Sequence, residues 1–272
     1  MDYIQQAIDK ARDERQGNIG RESTGEGHEA DGATGDKAIS KEQGVPDAIN
    51  YTKTRQVDIA HSVLRKNRII AGFGFEASAE PYRQLRTQVL QKLRANDWKT
   101  LAITSPSENS GKTITALNLA ISLSLEVNQT VMLVDLDLRN PGVLRSLEIS
   151  AEKGLVDHLK GEVSVGDILI NPGFERLVIM PGKADPNYSS EILSSPEMKA
   201  LLEDLTSKYR SRILIFDLPA LLGNDDALVF VPFVDAALLV VEEGVTKPED
   251  MRRSLQLLEG INFLGTILNK AE

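Results

Sequence analysis

The chain has 272 residues and a net charge of −9, which argues against a general nucleic-acid binder because phosphate affinity comes from clustered Lys and Arg. It contains no Cys, which excludes disulfides and Cys-ligated metal sites. No apolar run approaches the ~18 residues of a membrane span, and the N-terminus lacks a signal-peptide pattern. We therefore expect a soluble, cytoplasmic protein.

Residues 1–75 are expected to form an N-terminal extension to a main domain at 76–272. Residues 2–15 carry apolar side chains at helical spacing and predict a short helix. Residues 16–47 are rich in Gly, Glu, Asp, Lys and Ser, with almost no large apolar side chains, so we expect a disordered linker. Residues 48–75 are more apolar and leave open whether this part wraps onto the main domain.

An amphipathic helix with two distinct faces is predicted from about residue 78. Apolar side chains recur along one face at Tyr82, Leu85, Val89 and Leu93. Glu80, Arg83 and Arg86 lie three residues apart and form a charged stripe. The stripe is either a solvated face with local ion pairs or a contact between subunits.

A polar loop, Ser105–Thr113, lies between a predicted strand and a predicted helix. Strand, loop, Gly-Lys-Thr and helix in this order predict a phosphate-binding loop. Lys112 would reach the β- and γ-phosphates, and the Thr113 hydroxyl would hold Mg²⁺. Backbone N–H groups would face the phosphates. The predicted nucleotide-binding residues of this stretch are Asn109, Ser110, Gly111, Lys112, Thr113 and Ile114.

The loop departs from the usual pattern at two positions. Pro106 stands where the pattern begins with Gly, and Asn109 stands where a second Gly is common. Asn is the non-Gly residue that best tolerates positive φ, so the second change is the milder one.

Acidic residues follow two further apolar runs that read as buried parallel strands. Asp135 and Asp137 follow Val131–Val134, and their alternate spacing points both carboxylates the same way. Such a pair would repel unless a cation such as Mg²⁺ lies between them. Asp217 follows Arg212–Phe216 and is either a cap or a second metal-site carboxylate of Walker-B type.

Strands alternate with helices along the rest of the chain. Further apolar runs at 177–180, 236–241 and 264–268 predict strands, and the segments between them carry helical patterns. This alternation predicts an α/β fold with a mostly parallel sheet flanked by helices, as in P-loop NTPases.

The sequence resembles the bacterial tyrosine kinases of exopolysaccharide and capsule assembly, within the deviant-Walker P-loop ATPases. The shared motifs are Glu80-x-x-Arg83-x-x-Arg86, Gly111-Lys112-Thr113, Asp135-x-Asp137-x-Arg139, Ser189-Ser190-Glu191-Ile192-Leu193, Asp217 and Leu268-Asn269. The resemblance covers about residues 76–272.

The resemblance implies an ATP-dependent protein-tyrosine kinase or ATPase that uses ATP and Mg²⁺. It would act at the inner face of the membrane with a transmembrane polysaccharide co-polymerase, a chain-length determinant. It also implies a ring-shaped homo-oligomer through Glu80, Arg83 and Arg86, and a contact of Asn269 with adenine. The expected roles are catalytic for Lys112, Asp135 and Asp137, with Asp137 orienting or deprotonating the acceptor hydroxyl, and metal-binding for Thr113, Asp135 and Asp217.

The tyrosines depart most clearly from that family, which carries a C-terminal tyrosine cluster. Here they are Tyr3, Tyr51, Tyr82, Tyr188 and Tyr209, so no phosphorylation of a C-terminal tail is expected. Two alternatives remain open, a non-catalytic nucleotide-sensing adaptor and a partitioning or positioning ATPase. The second is disfavoured because Ser107 stands where those ATPases carry a signature Lys.

Overall fold

The computed structural model describes residues 54–74, 76–208 and 211–271. The predicted helix at 2–15 and the predicted linker at 16–47 lie outside these ranges. Within them, the fold is a sheet with helices on both faces, as the alternating sequence pattern predicts.

The sheet has eight strands in the described residues, in the spatial order β1-β4-β5-β3-β6-β2-β7-β8. All neighbouring pairs are parallel except β4 and β5. The strands are β1 (Arg55–Gln56), β2 (Thr100–Thr104), β3 (Thr130–Asp135), β4 (Ile170–Asn171), β5 (Leu177–Met180), β6 (Arg212–Asp217), β7 (Ala236–Glu242) and β8 (Phe263–Asn269).

The helices flank this sheet and bury their apolar faces against it. They are α1 (His61–Lys66), α2 (Glu80–Ala95), α3 (Lys112–Ser124), α4 (Val143–Ser146), α5 (Leu155–Leu159), α6 (Val165–Ile168), α7 (Ser189–Ser194), α8 (Pro196–Lys208), α9 (Asp226–Phe230) and α10 (Pro248–Leu257). Short 3₁₀ turns occur at Ala77–Ala79 and Val231–Phe233. No helix in the described ranges is long and apolar enough to cross a membrane.

The central strands β2, β3 and β6 are buried on both faces, which explains their uninterrupted apolar sequences. Alternate side chains enter two separate cores. One core lies under α2 and α3, and the other lies under α7, α8 and α9. Because β3 and β6 are neighbours, their carboxyl ends bring the acidic residues of both strands to one edge of the sheet.

The segment before α2 packs on the main domain, which answers the question left open for residues 48–75 as far as it is described. Leu64 and Ile69 are buried in the core under α3. Asn118 of α3, fully buried, accepts hydrogen bonds from the backbone N–H groups of Ile70 and Ala71 at 2.7 and 2.9 Å. Packing against the sheet and its helices therefore begins well before residue 76.

The charged stripe of α2 makes its contacts within the chain. Arg83 donates hydrogen bonds to Glu80 at 2.5 and 2.8 Å. Arg86 donates to the Ser122 carbonyl oxygen at 3.1 Å, and its guanidinium lies 3.1 Å from the Glu126 carboxylate. The Arg86 side chain is only 19% exposed, so it belongs to the contact between α2 and α3 rather than to a freely solvated face.

Candidate active site

The loop between β2 and α3 adopts a backbone that requires two left-handed residues. Asn109 has φ 62° and Gly111 has φ 90°, so Asn109 takes the conformation for which Asn is the best substitute for Gly. The Ser105 carbonyl oxygen accepts the Leu221 N–H at 2.9 Å, and the Pro106 carbonyl accepts the Leu222 N–H at 3.2 Å. Pro106 is therefore accommodated because the loop uses its carbonyl and not an N–H.

Asn269, at the end of β8, lies directly against this loop. Its side-chain nitrogen donates a hydrogen bond to the Ser110 carbonyl oxygen at 2.9 Å. A Cβ atom added at Gly111 would overlap the same nitrogen. Position 111 therefore requires glycine, because φ is positive there and because Asn269 leaves no room for a Cβ atom.

Asp135 and Asp217 face each other across β3 and β6 at the edge next to the loop. Both are buried, with exposed fractions of 1% and 0%. Asp217 accepts a hydrogen bond from the Thr113 hydroxyl at 2.6 Å through one oxygen, while its other oxygen, Oδ1, is buried without a partner among the described residues. Asp135 accepts the N–H groups of Val143 and Asp137 at 2.9 and 3.3 Å.

Lys112 forms an ion pair with Asp137, and this contact could not be predicted from the sequence. The Lys112 Nζ atom lies 2.7 Å from Asp137 Oδ2, and the two side chains are 11% and 10% exposed. The ammonium group that the sequence predicts on nucleotide phosphates is thus paired with Asp137 in the described structure.

Burial and mutual charge interactions shift the pKa values of Asp135, Asp217 and Lys112. Burial raises the pKa of Asp135 to about 8, with the Asp217 charge adding to the effect. Burial also raises the pKa of Asp217 to about 6, although Lys112 and the Thr113 hydroxyl oppose this. Burial alone lowers the pKa of Lys112, but the Asp217 and Asp137 charges outweigh it and raise that pKa. Three acidic side chains therefore surround one ammonium group at this edge of the sheet.

The donor set fits a Mg²⁺ ion with bound nucleotide. Magnesium prefers hydroxyl and carboxylate oxygens, and it is usually held by one or two carboxylates plus substrate phosphates. Thr113, Asp135 and Asp217 supply such oxygens, and the unpartnered Asp217 Oδ1 is free to accept a cation. In the described ranges no group of three or more His, Cys, Asp or Glu side chains is arranged to hold a metal ion.

An open cleft of about 310 Å³ lies over the loop. It is lined by loop and α3 residues, by Asp137 and Arg139, and by residues that sequence reasoning missed, namely Asn140, Gly142, Arg145, Ser146, Asn224 and Lys270. Larger cavities of about 660 Å³ lie elsewhere, one of them beside Lys99 and Thr100 at the start of β2. In open α/β sheets ligands bind at the carboxyl ends of strands, so the smaller cleft is the candidate site.

Arg139 fixes the segment that follows β3. Its Nε and Nη2 atoms donate to the two carboxylate oxygens of Asp226 at 2.8 and 3.0 Å, and Asp226 is fully buried. A bidentate pair of this kind fixes the relative orientation of the two side chains and is stronger than a single hydrogen bond. This pair therefore joins the segment after β3 to α9. Asp226 carries no signal in the sequence that would have identified it.

The comparisons with known proteins identify the family of the chain. No family model matches the chain. It is 30% identical over 195 residues to the tyrosine-protein kinase CpsD of Streptococcus agalactiae, covering 70% of this chain and 82% of that protein. The chain belongs to the bacterial tyrosine kinase family.

Two further comparisons show how much of each similar protein the chain covers. It is 32% identical over 221 residues to the succinoglycan biosynthesis transport protein ExoP of Rhizobium meliloti (strain 1021), covering 79% of this chain but 28% of ExoP. The kinase domain of the Escherichia coli tyrosine kinase ETK superposes with a TM-score of 0.68 at 25% identity, covering 80% of this chain and 91% of that domain. The chain thus spans about a quarter of the length of ExoP and matches an isolated kinase domain almost completely.

Proposed function

We propose that this chain is an ATP-dependent protein-tyrosine kinase that regulates exopolysaccharide or capsule biosynthesis and export. The observation that carries the proposal is the meeting of Lys112 and Thr113 with three aspartates at one sheet edge. Family membership supports the tyrosine-kinase chemistry, and the name of ExoP supports the polysaccharide role.

Nucleotide binding in this proposal uses the loop backbone and two of its side chains. The N–H groups from Asn109 to Ile114 would cradle the phosphates at the start of α3. Lys112 would exchange Asp137 for the β- and γ-phosphates. Thr113, Asp135 and Asp217 would hold Mg²⁺, which supplies charge neutralisation for the transferring phosphoryl group. Asn269, already against the loop at Ser110, would contact the adenine.

Release of Lys112 to the phosphates gives Asp137 its second role. In the described conformation its carboxylate is neutralised by the Lys112 ammonium group at 2.7 Å. Once Lys112 moves to the phosphates, the carboxylate is free to orient and deprotonate the acceptor hydroxyl. The exchange couples nucleotide binding to activation of the acceptor.

The proposed partner is a transmembrane polysaccharide co-polymerase, which would hold the chain at the inner face of the membrane. The name of the relative ExoP, a succinoglycan biosynthesis transport protein, supports a partner of this kind. A homo-oligomer through Glu80, Arg83 and Arg86 is also proposed. Because Arg83 and Arg86 have partners within the chain, assembly would have to replace or extend those contacts.

The test measures ADP formation and phosphorylation of a random Glu–Tyr copolymer, with and without the cytoplasmic segment of a co-polymerase. We expect Mg²⁺-dependent labelling of the copolymer that the segment increases. Lys112→Met should abolish it by removing the phosphate contact, and Asp217→Asn should reduce the Mg²⁺-dependent labelling by removing a proposed metal ligand. Unchanged turnover in a folded Lys112→Met variant would overturn the assignment of the loop.

A non-catalytic nucleotide-sensing adaptor is the second candidate, and one observation favours it. The Lys112–Asp137 pair neutralises both groups that the transfer reaction needs. An adaptor would bind ATP with Mg²⁺ and show no labelling of the copolymer even with the co-polymerase segment present. The same experiment therefore separates the two candidates.

A further inference from the structure

The positively charged side chains that line the cleft over the loop differ in whether a carboxylate neutralises them. Arg145 donates from Nη1 to the amide oxygen of Asn140 at 2.7 Å and forms no ion pair with a carboxylate in the described ranges. Because that acceptor is neutral, the charge of Arg145 is uncompensated. The other cations of the cleft each have an acidic partner: Lys112 with Asp137 at 2.7 Å, Arg139 with Asp226 at 2.8 Å, and Lys270 with Glu242 at 2.9 Å.

The short helix that carries Arg145, α4, is tied to a carboxylate of the proposed metal site. The Val143 N–H, at the first residue of α4, donates to Asp135 Oδ2 at 2.9 Å. The Ser146 N–H and hydroxyl both donate to the Gly142 carbonyl oxygen, at 2.9 and 2.8 Å. These bonds hold the backbone of α4 beside the carboxyl end of β3. The exposed Arg145 side chain therefore extends over the cleft from a fixed backbone.

The Arg145 guanidinium and the Thr113 hydroxyl border the same space above Gly142. A Cβ atom built on Gly142 would lie 3.2 Å from Thr113 Oγ1 and 3.6 Å from Arg145 Nη2. Gly142 leaves this space open because it has no side chain. Thr113 is a proposed Mg²⁺ ligand, and the metal in sites of this type bridges the β- and γ-phosphates. Arg145 is thus the cation nearest the proposed metal position that is not engaged with a carboxylate.

The chemistry of this side chain suits a phosphate. A guanidinium is planar, is always charged and donates two parallel hydrogen bonds to phosphate oxygens. To bind one, Arg145 has to give up only the neutral Asn140 amide. Lys112, in contrast, has to leave the Asp137 carboxylate. Arg145 is therefore available to an incoming anion without the loss of an ion pair.

We infer that Arg145 binds the γ-phosphate of ATP and by this contact distinguishes ATP from ADP. In the proposed function the loop N–H groups and Lys112 serve the phosphates that lie against the loop, and ADP shares most of these contacts. The γ-phosphate is present in ATP alone. Its charge would be met by the guanidinium next to Thr113. The inference rests on the nucleotide binding of the proposed function and adds a residue to it.

The experiment compares two nucleotides on the full chain by isothermal titration in the presence of Mg²⁺. One is ADP, and the other is the β,γ-imido analogue of ATP, which carries a γ-phosphate and resists hydrolysis. Arg145→Gln should weaken binding of the analogue about tenfold, because it removes a hydrogen bond between charged groups. Its affinity for ADP should be unchanged.

Arg94→Gln is the matched control. It removes the same charge from an exposed position of α2 that does not line the cleft, as far as the cleft is described. Binding of both nucleotides should match that of the wild type. Melting temperatures of the two variants should also equal that of the wild type, because both arginines are exposed. A loss of affinity in Arg145→Gln is then not a loss of folding.

The remaining outcomes separate this inference from the proposed function. Equal weakening of the analogue and of ADP in Arg145→Gln would overturn the inference, as would wild-type affinity for both. Either result, with labelling of the Glu–Tyr copolymer by the wild type, leaves the kinase proposal standing. Selective weakening of the analogue without copolymer labelling by the wild type supports the role of Arg145 and overturns the kinase function. A wild type that binds neither nucleotide overturns both.

Discussion

The Lys112 ammonium group lies 2.7 Å from the Asp137 carboxylate, so the phosphate-binding loop carries its own counterion. Both side chains are nearly buried, and neither has another ion-pair partner in the described ranges. In the proposed function, ATP breaks this charged hydrogen bond before Lys112 can contact phosphate. Because of this competition, substitutions of Lys112 and of Asp137 should have opposite effects on ATP affinity.

Asp137→Asn should tighten ATP binding while it abolishes phosphotransfer. Removing the competing charge frees Lys112, and a hydrogen bond between charged groups contributes about 1.5 kcal/mol, or roughly tenfold in affinity. Titration with a fluorescent ATP analogue measures the first effect, and copolymer labelling measures the second. Lys112→Met is the matched control and should weaken binding. Weaker binding in both variants would contradict the competition.

The metal-free protein should become more stable as the pH falls from about 8 toward 6. The folded-state pKa of Asp135 is raised from 3.8 to about 8, so the folded state binds a proton more tightly than the unfolded state. The stability that this group contributes is complete below pH 3.8 and is lost as the pH rises through about 8. Melting temperatures in EDTA across this range provide the measurement.

The Asp217→Asn variant tests the cause of that pH dependence. It removes the charge that, after burial, contributes most to the raised pKa of Asp135. Its melting temperature should be higher than that of the wild type at pH 8 and should change less between pH 8 and 6. An identical slope in the two proteins would assign the pH dependence to other groups.

Asn118→Ala should destabilise the domain by about 2–4 kcal/mol. The side chain is fully buried and satisfies the backbone of residues 68–71, and buried groups left unpaired cost about 1–3 kcal/mol each. Urea unfolding measures the loss. Asn96→Ala removes an exposed hydrogen bond to Lys92 within α2 and should cost no more than about 1 kcal/mol. Equal effects would show that the segment before α2 is held by other contacts.

Arg86→Gln should lower stability as well as affect assembly. Its largely buried guanidinium donates a hydrogen bond to the Ser122 carbonyl oxygen and forms an ion pair with the Glu126 carboxylate. We therefore expect the free energy of unfolding to fall by about 1–3 kcal/mol. Arg94→Gln, on an exposed position of the same helix, should be nearly neutral. Urea unfolding of both variants gives the stability, and sedimentation with ADP and Mg²⁺ gives the oligomeric state. A destabilisation of less than about a few tenths of a kcal/mol for Arg86→Gln would show that the charged stripe is a solvated face.

The longer strands and the site motifs are predictable from the sequence because local pattern determines them. Thr100–Thr104 has three apolar residues between two threonines and precedes a Gly-Lys-Thr loop, a pattern that predicts a strand before a phosphate-binding loop. β1 and β4 have two residues each and carry no periodicity, so their pairing could not be predicted. The sequence leaves Asp217 open between a cap and a metal-site residue, and its bond to Thr113 places it at the site.

The contacts that tune the site are beyond sequence reasoning because they join residues far apart in the chain. The pairs of Arg139 with Asp226 and of Lys112 with Asp137 depend on tertiary placement alone. One further signal is present in the sequence. Asn118 is a polar residue between Leu117 and Leu119 in the buried middle of α3, and a buried amide there requires hydrogen-bond partners.

The hydrogen bonds between residues 68–71 and Asn118 of α3 have a practical consequence for expression of this domain in isolation. A truncated domain that starts at residue 76, the boundary that the motifs suggest, would lack Leu64 and Ile69 and leave an apolar trough open along the helix that follows the phosphate loop. Exposed troughs of this kind promote aggregation and low recombinant yield. A truncated domain that begins before Arg55 keeps Leu64 and Ile69, which cover this apolar surface.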